Sequence, residues 1–286
     1  MRPLRVRVAA VAFTCQAVAV KRDVSAALEI AVHADTILQW QIAVARQPGI
    51  DLVESLTCVL DGELLVPREL IGPHHSRLHV LEVGAGTLRL DYQATVFGTA
   101  VPDVASDYDV ALYRRPSRYA ESDKLLGFAA AEFGYGIVDP DVAARVAAWV
   151  GRRISYVAGS SAPIDGAVET LLSGTGVCRD FSHLVVALLR AVGVPARVAA
   201  VYAPGCVPMD FHAVAEAWVG GAWLTLDPTC LAPRSSLVRI ATGRDAADIA
   251  FLDNHGGDIT LRSMTVNAFV DGPLPYDDFA TPSIIT

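Results

Sequence analysis

The chain has 286 residues, a length that suits two domains better than one. Hydrophobic residues make up 52% and charged residues 19%, which supplies material for packed cores and excludes disorder. Net charge is −8 and no run of Lys or Arg exceeds two residues, which argues against a nucleic-acid partner.

Five cysteines, an odd number with no CxxC pair, fit neither a disulfide framework nor a zinc site. They suit a reducing, cytoplasmic setting. The first residues compete with that reading. Arg2, Arg5 and Arg7 precede a mostly apolar stretch from Val8 to Val20 with an Ala17-Val18-Ala19 triplet, the outline of a secretory signal. Thr14 and Gln16 interrupt the stretch, so residues 1–22 also read as an N-terminal extension, or as sequence ahead of a true start near Val20. Export is therefore the alternative to the cytoplasmic reading. No later run of about 18 apolar residues exists, so no transmembrane span is expected.

From Val24 to Gly98 the pattern is β. Leu28–Val32, Ile37–Ile42, Leu78–Val83 and Leu88–Phe97 alternate or are rich in strand formers, with Gly84 and Gly86 signalling a hairpin between the last two. These short strands predict an antiparallel β-sandwich over 23–105. His74, His75 and His79 surround a Pro/Gly loop and read as solvated loop histidines rather than a metal site. The boundary falls between Val101 and Ser117, leaving 106–286 as the second domain. Ser117–Gly134 favours helix, with Leu125, Leu126, Phe128 and Ala129 for a core. Asp139-Pro140 is a helix start, a capping acid followed by proline, and the helix runs through Val142, Val146 and Trp149 toward Ile154. Another spans Ile164 to Ser173 and stops near Gly174.

The chemistry concentrates in Gly174-Thr175-Gly176-Val177-Cys178-Arg179-Asp180-Phe181-Ser182-His183. Leu184, Val185, Leu188, Leu189 and Val192 then have the spacing of a buried helix ending at Gly193 before Pro195. Cys178 therefore sits at the first turn of that helix. There, unpaired N–H groups and the positive dipole end favour a thiolate and face a developing oxyanion. Alone, the pattern fits a buried structural cysteine equally well.

A base for that thiol lies further on. Arg197–Ala203 reads as a strand, followed by two strand-like runs, 211–219 and 222–229, around Gly220-Gly221. A two-residue turn pairs Val219 with Ala222, Trp218 with Trp223 and Glu216 with Thr225. His212 and Asp227 then share a face as diagonal neighbours, with Cα atoms about 7–8 Å apart. A carboxylate there can hold the imidazole. The arrangement predicts a triad of Cys178 as nucleophile, His212 as base and Asp227 as its orienting acid.

The segments GVCRDFSHLVVALLRAVGVPARV, FHAVAEAWV and WLTLDPT resemble the core of the transglutaminase-like superfamily, on the papain-like cysteine-protease fold. Leu237–Ile249 is similar to the segment that follows the catalytic aspartate in bacterial members, and the β-rich N-terminal region to a domain these proteins often carry. The resemblance spans residues 24–270. It implies an α+β chain in which an N-terminal antiparallel β-sandwich precedes a core where the helix bearing the cysteine packs on the antiparallel sheet bearing His and Asp. It also maps the family's nucleophile, base and acid onto Cys178, His212 and Asp227. One departure stands out: many relatives have His-Ala-Trp where this chain has His212-Ala213-Val214, with the aromatic displaced to Trp218.

Other residues carry weaker expectations. Asp180 and His183 read as capping and supporting groups, Glu216 as a brace or a contact for a cationic substrate group, and Tyr156 as an oxyanion donor. A metal on Cys206, His212 and Cys230 matches no zinc pattern, and no EF-hand loop is present, so neither metal nor cofactor is expected. Cys15 and Cys58 carry no visible chemistry. The expected function is cleavage of peptide or amide bonds through a thioester, with a peptide or protein as partner. Acyl transfer to an amine, transfer from a thioester donor, and a catalytically silent binding module are the alternatives. Oligomeric state is not legible.

Overall fold

The computed structural model describes residues 21–134 and 141–286. The signal-like stretch with Cys15, and the Asp139-Pro140 helix start, lie outside the described residues. Seven strands lead: β1 Arg22–Val32, β2 Thr36–Trp40, β3 Ile50–Leu60, β4 Glu63–Leu65, β5 Arg68–Ile71, β6 Arg77–Val83 and β7 Gly86–Gly98. A mainly helical stretch follows, with α1 Asp107–Leu112, α2 Leu126–Phe133, α3 Val142–Arg153, β8 Ser155–Tyr156, α4 Ala167–Ser173, β9 Thr175–Gly176 and α5 Cys178–Ala191. The rest comprises β10 Ala196–Tyr202, β11 Phe211–Val219, β12 Ala222–Leu226, β13 Val238–Gly243, α6 Ala246–Ile249, β14 Leu252–Gly256 and β15 Ile259–Val270.

Period-two burial makes the N-terminal strands one-faced. In β1, Val24, Ala26, Leu28 and Ile30 are buried while Asp23, Ser25 and Glu29 look outward. Two antiparallel sheets result, ordered β15-β1-β7-β3-β4 and β14-β2-β6-β5. Their last strands come from far along the chain: β14 pairs with β2, and β15 with β1 over its whole length. A third sheet, β12-β11-β10-β13, carries the His212 strand.

Three expectations are corrected. β6 and β7 are not a hairpin: β6 pairs with β2 and β5, β7 with β1 and β3, so the Gly84–Gly86 connection crosses between sheets. Alternation marks a half-buried strand but does not name its partner, and β7 is paired along both edges. His74 and His79 are not solvated. His79 lies in β6 opposite Trp40 and stacks on its ring at 5.8 Å, while His74 is held by Asp103 and Tyr113. Finally, the 117–134 helix is shorter than expected. Residues 117–121 are irregular, because Ser117 N–H turns back to the Ala120 carbonyl and Tyr119 N–H is taken by Asp245.

α5 is central. From Asp180 to Ala191 every residue is buried, and Leu184, Val185, Leu188 and Leu189 join the core that continues through Trp40, Leu88 and Leu90. Each such leucine contributes about 1.5–3 kcal/mol by leaving water. Buried Arg190 makes four hydrogen bonds, to the Ala196, Arg115 and Arg244 carbonyls and to Ser117 Oγ. The β-rich sheets are bonded to the β10–β13 sheet directly, through Tyr202 Oη to the Ile42 carbonyl at 2.7 Å and Ala45 N–H to the Arg239 carbonyl at 2.9 Å.

Candidate active site

Cys178 is the first residue of α5. The turn before it is tight: a Cβ on Gly176 would stand 2.7 Å from the Asp180 Cβ, so only glycine fits. Val177 has no side-chain acceptor for the orphan amides of the first turn. Asp180 replaces it, accepting the Val177 N–H on Oδ2 at 2.8 Å, while Oδ1 takes Ser161 Oγ at 2.9 Å and the Arg179 guanidinium at 3.1 Å. Arg179 also donates to the Ala162 carbonyl and Ser161 Oγ. The loop before α4 is thereby tied to the turn that presents the thiol.

β11 and β12 pair as the sequence arithmetic expects, with Val219 opposite Ala222, Trp218 opposite Trp223 and Glu216 opposite Thr225. Gly220 and Gly221 both take positive φ, 61° and 86°, the backbone of a two-residue hairpin turn. This register brings Asp227, just past β12, beside His212. Asp227 Oδ2 lies 2.8 Å from His212 Nε2, and both residues are at most 5% exposed. Asp227 Oδ1 accepts from Thr229 N–H and Thr229 Oγ1, which fixes the carboxylate. Cys178 is near enough to the same imidazole to act on its charge, alongside Asp227. Burial opposes a charged ring, but the Asp227 carboxylate and the sulfur together hold His212 well above its ordinary pKa. An imidazole held in this way by a buried carboxylate, with a thiol nearby, is a group that can accept a proton and keep it as an imidazolium.

The remaining expected residues divide. Tyr156 stands near the site: burial first, and then the charges of Cys178, Cys206 and Asp210, raise the phenol to about 12, so it stays protonated. His183 does not reach it. It is fully buried, its Nε2 accepts the Ala246 N–H at 3.1 Å, and its ring stacks on Tyr119. Glu216 lies on the His212 side of β11 but is enclosed between Arg197 and Arg239, at 2.8 and 2.6 Å. Burial works against its charge, yet the two guanidinium groups hold its carboxyl down to about 2. It braces the sheet and is shut away from any substrate. Cys206 is buried with its thiol on the Pro208 carbonyl. Among the described residues no group of three or more His, Cys, Asp or Glu is placed to hold a metal ion. Nor is any helix there long and apolar enough to cross a membrane.

Sequence reasoning missed the rest of the Glu216 network. Arg197 also meets Asp103 at 2.8 Å and packs its guanidinium 4.0 Å over the Trp223 ring, linking the 99–106 connector to the hairpin. Burial opposes the Asp103 charge, but His74 and Arg197 hold it below the usual carboxylate range. The signal was available in part: Arg197 pairs directly with Glu216 across β10 and β11.

Comparison with known proteins identifies relatives of the chain. The profile of the Transglutaminase-like superfamily matches residues 136–228. An uncharacterized protein of Mycobacterium leprae is 30% identical over 113 residues, 36% of this chain and 40% of the relative. One of Mycobacterium tuberculosis strain H37Rv is 35% identical over 115 residues, 33% of this chain and 35% of the relative. The matched segments thus cover well under half of these mycobacterial proteins. The solved structure of a candidate cysteine protease from Cytophaga hutchinsonii superposes with a TM-score of 0.82 at 31% identity, covering 91% of this chain and 95% of that one. With a solved relative aligned over nearly its whole length, the chain belongs to the transglutaminase-like superfamily.

Proposed function

We propose that this protein is a cysteine-nucleophile hydrolase of peptide or amide bonds, working through a thioester acyl-enzyme. The supporting observation is the buried His212 imidazole, held by the Asp227 carboxylate at 2.8 Å and near enough to Cys178 for the two to act on each other. In this reading His212 takes the thiol proton, and the thiolate attacks the scissile carbonyl. The tetrahedral oxyanion is met by the Cys178 backbone N–H at the start of α5 and by the Tyr156 hydroxyl. His212 then returns its proton to the departing amine, and the C–N bond breaks. Water, deprotonated by the same imidazole, resolves the thioester and frees the thiol. Asp227 keeps the ring in one tautomer and stabilises its charged form throughout. The name of the Cytophaga hutchinsonii relative points the same way. An amine in place of water would turn the same intermediate toward acyl transfer.

The reading is tested with iodoacetamide across pH, mapping the modified cysteine by mass spectrometry. Cys178 labels faster than exposed Cys230 below about pH 7, where an unassisted thiol is almost wholly protonated. Cys178→Ala abolishes turnover on a peptide panel, and product masses show whether water or an added amine accepted the acyl group. Labelling of Cys178 at the pace of Cys230, with unchanged activity in Cys178→Ala, refutes the proposal.

A further inference from the structure

We propose that Thr229 is a positioning residue for the chemistry at Cys178, and that the turn it closes, seated on Gly151 of α3, aims the Asp227 carboxylate at His212. The inference rests on the nucleophile reading above and adds to it the group that holds the orienting acid. Only one oxygen of Asp227 serves the imidazole: Oδ2 lies 2.8 Å from His212 Nε2. Oδ1 is filled by a single residue, which donates its N–H at 3.0 Å and its hydroxyl at 2.6 Å, and that residue is Thr229. A carboxylate bonded through both oxygens cannot rotate without breaking one of those bonds. Among the described residues no Lys or Arg pairs with Asp227, so its buried charge meets two neutral donors and the imidazole.

The order of residues explains why Thr229 is the donor. Pro228 follows Asp227 directly and has no N–H, so the next amide along the chain is that of Thr229. The turn closes one residue later, where the Cys230 N–H meets the Asp227 carbonyl at 3.3 Å and Cys230 takes a left-handed backbone, φ 54°. Such a conformation persists in a residue with a Cβ only where its surroundings hold it. Part of that support is α3. A Cβ on Gly151 would stand 2.9 Å from the Pro228 carbonyl oxygen and 3.5 Å from the Pro228 Cβ, so the helix reaches the turn only because residue 151 has no side chain. β12 delivers Asp227 to the site, and Thr229 with Gly151 sets the direction in which it points. Against burial, which opposes a charged ring, that carboxylate raises His212. An acid turned aside leaves the imidazole a weaker base for the thiol.

The test follows the iodoacetamide rate at Cys178 from about pH 5 to 9 by mass spectrometry on the full chain, with glutathione in the same tube as an ordinary thiol. Thr229→Val keeps the N–H and the shape but removes the hydroxyl. The midpoint of its pH–rate curve moves up by roughly 0.5–1 unit, so that the rate near pH 6 falls roughly three- to tenfold. Thr229→Ser keeps the hydroxyl and restores the wild-type curve to within roughly twofold, a rescue that loss of packing alone does not give. Thr229 is half-buried, so Thr229→Ala is accommodated as well and repeats the shift if the valine variant does not fold. Gly151→Ala leaves the hydroxyl in place but pushes on Pro228, and it moves the midpoint the same way although alanine is the better helix former. Valine and alanine curves that coincide with the wild type, or a shift that the serine variant shares, overturn the positioning role and leave the nucleophile reading standing while Cys178 still outpaces glutathione. An unmoved Gly151→Ala curve overturns the seat on α3. Wild-type Cys178 labelling no faster than glutathione below about pH 7 refutes the nucleophile reading and takes this inference with it.

Discussion

At Asp227 the difference between a carboxylate and an amide decides which nitrogen of His212 carries the proton. Asp227→Asn keeps the shape but removes the acceptor that fixes the ring, so turnover drops roughly 10²–10⁴-fold with the fold intact. Steady-state kinetics beside an unchanged near-ultraviolet spectrum checks this. His183 makes the opposite use of burial. Excluded from water, it is lowered to about 4, against an ordinary value near 6.5, and the pull of Asp245 does not restore it. Because its native value lies below its unfolded one, the unfolded chain gains a proton the native state refuses as pH falls. Stability therefore drops by roughly 2–3 kcal/mol between pH 6.5 and 4.5. His79, also lowered by burial, adds in the same direction. His212 acts on the other side: raised in the native state, it contributes stability that is complete below about pH 6.5 and fades as pH climbs through its native value. Urea unfolding across this range shows the maximum near pH 6.5, and His183→Gln, which keeps an acceptor for Ala246, flattens the acid limb. A profile with no acid loss in the wild type contradicts the assignment.

Among the elements, α5 and β11 carry the most demanding requirements. Asp180→Ala removes the acceptor of the Val177 N–H and loosens Arg179 together, at a cost of about 1–2 kcal/mol in a denaturant midpoint. Glu216→Gln leaves Arg197 and Arg239 buried without their countercharge, and a loss of about 3–5 kcal/mol is expected. A loss below about 1 kcal/mol would mean that the two arginines are compensated by Asp103 and solvent. The hairpin that carries His212 illustrates how far local rules reach. Gly220-Gly221 and the strict alternation around them suffice to set the partner of every residue from Glu216 to Thr225. At Gly84–Gly86 the same reasoning fails, since both flanking strands find longer-range partners.

On the scale of the whole molecule, the first and last described strands meet. Among the described residues β15 has β1 as its only strand partner, β14 has β2, and Arg22 donates to the Gly98 and Thr286 carbonyls. A chain beginning at residue 106 therefore strands both segments and uncovers Tyr202. Such a truncation is expected to lose cooperative unfolding and near-ultraviolet dichroism, and turnover with them. A folded, active 106–286 fragment would show that the β-rich sheets are dispensable.

By itself the sequence determined the segments whose information is local: the helix start at Cys178, its apolar length, the Gly-Gly hairpin and hence the neighbourhood of His212 and Asp227. These follow from periods of 3.6 and 2 and from turn chemistry, which need no distant partner. Only the tertiary structure decided which strands share a sheet, that β14 and β15 return to the N-terminal strands, and that His79 and His183 are buried. It alone turned Glu216 inward to two arginines. Those outcomes depend on long-range pairing and on the desolvation of charge, and both are set by residues up to 264 positions away, as between Arg22 and Thr286.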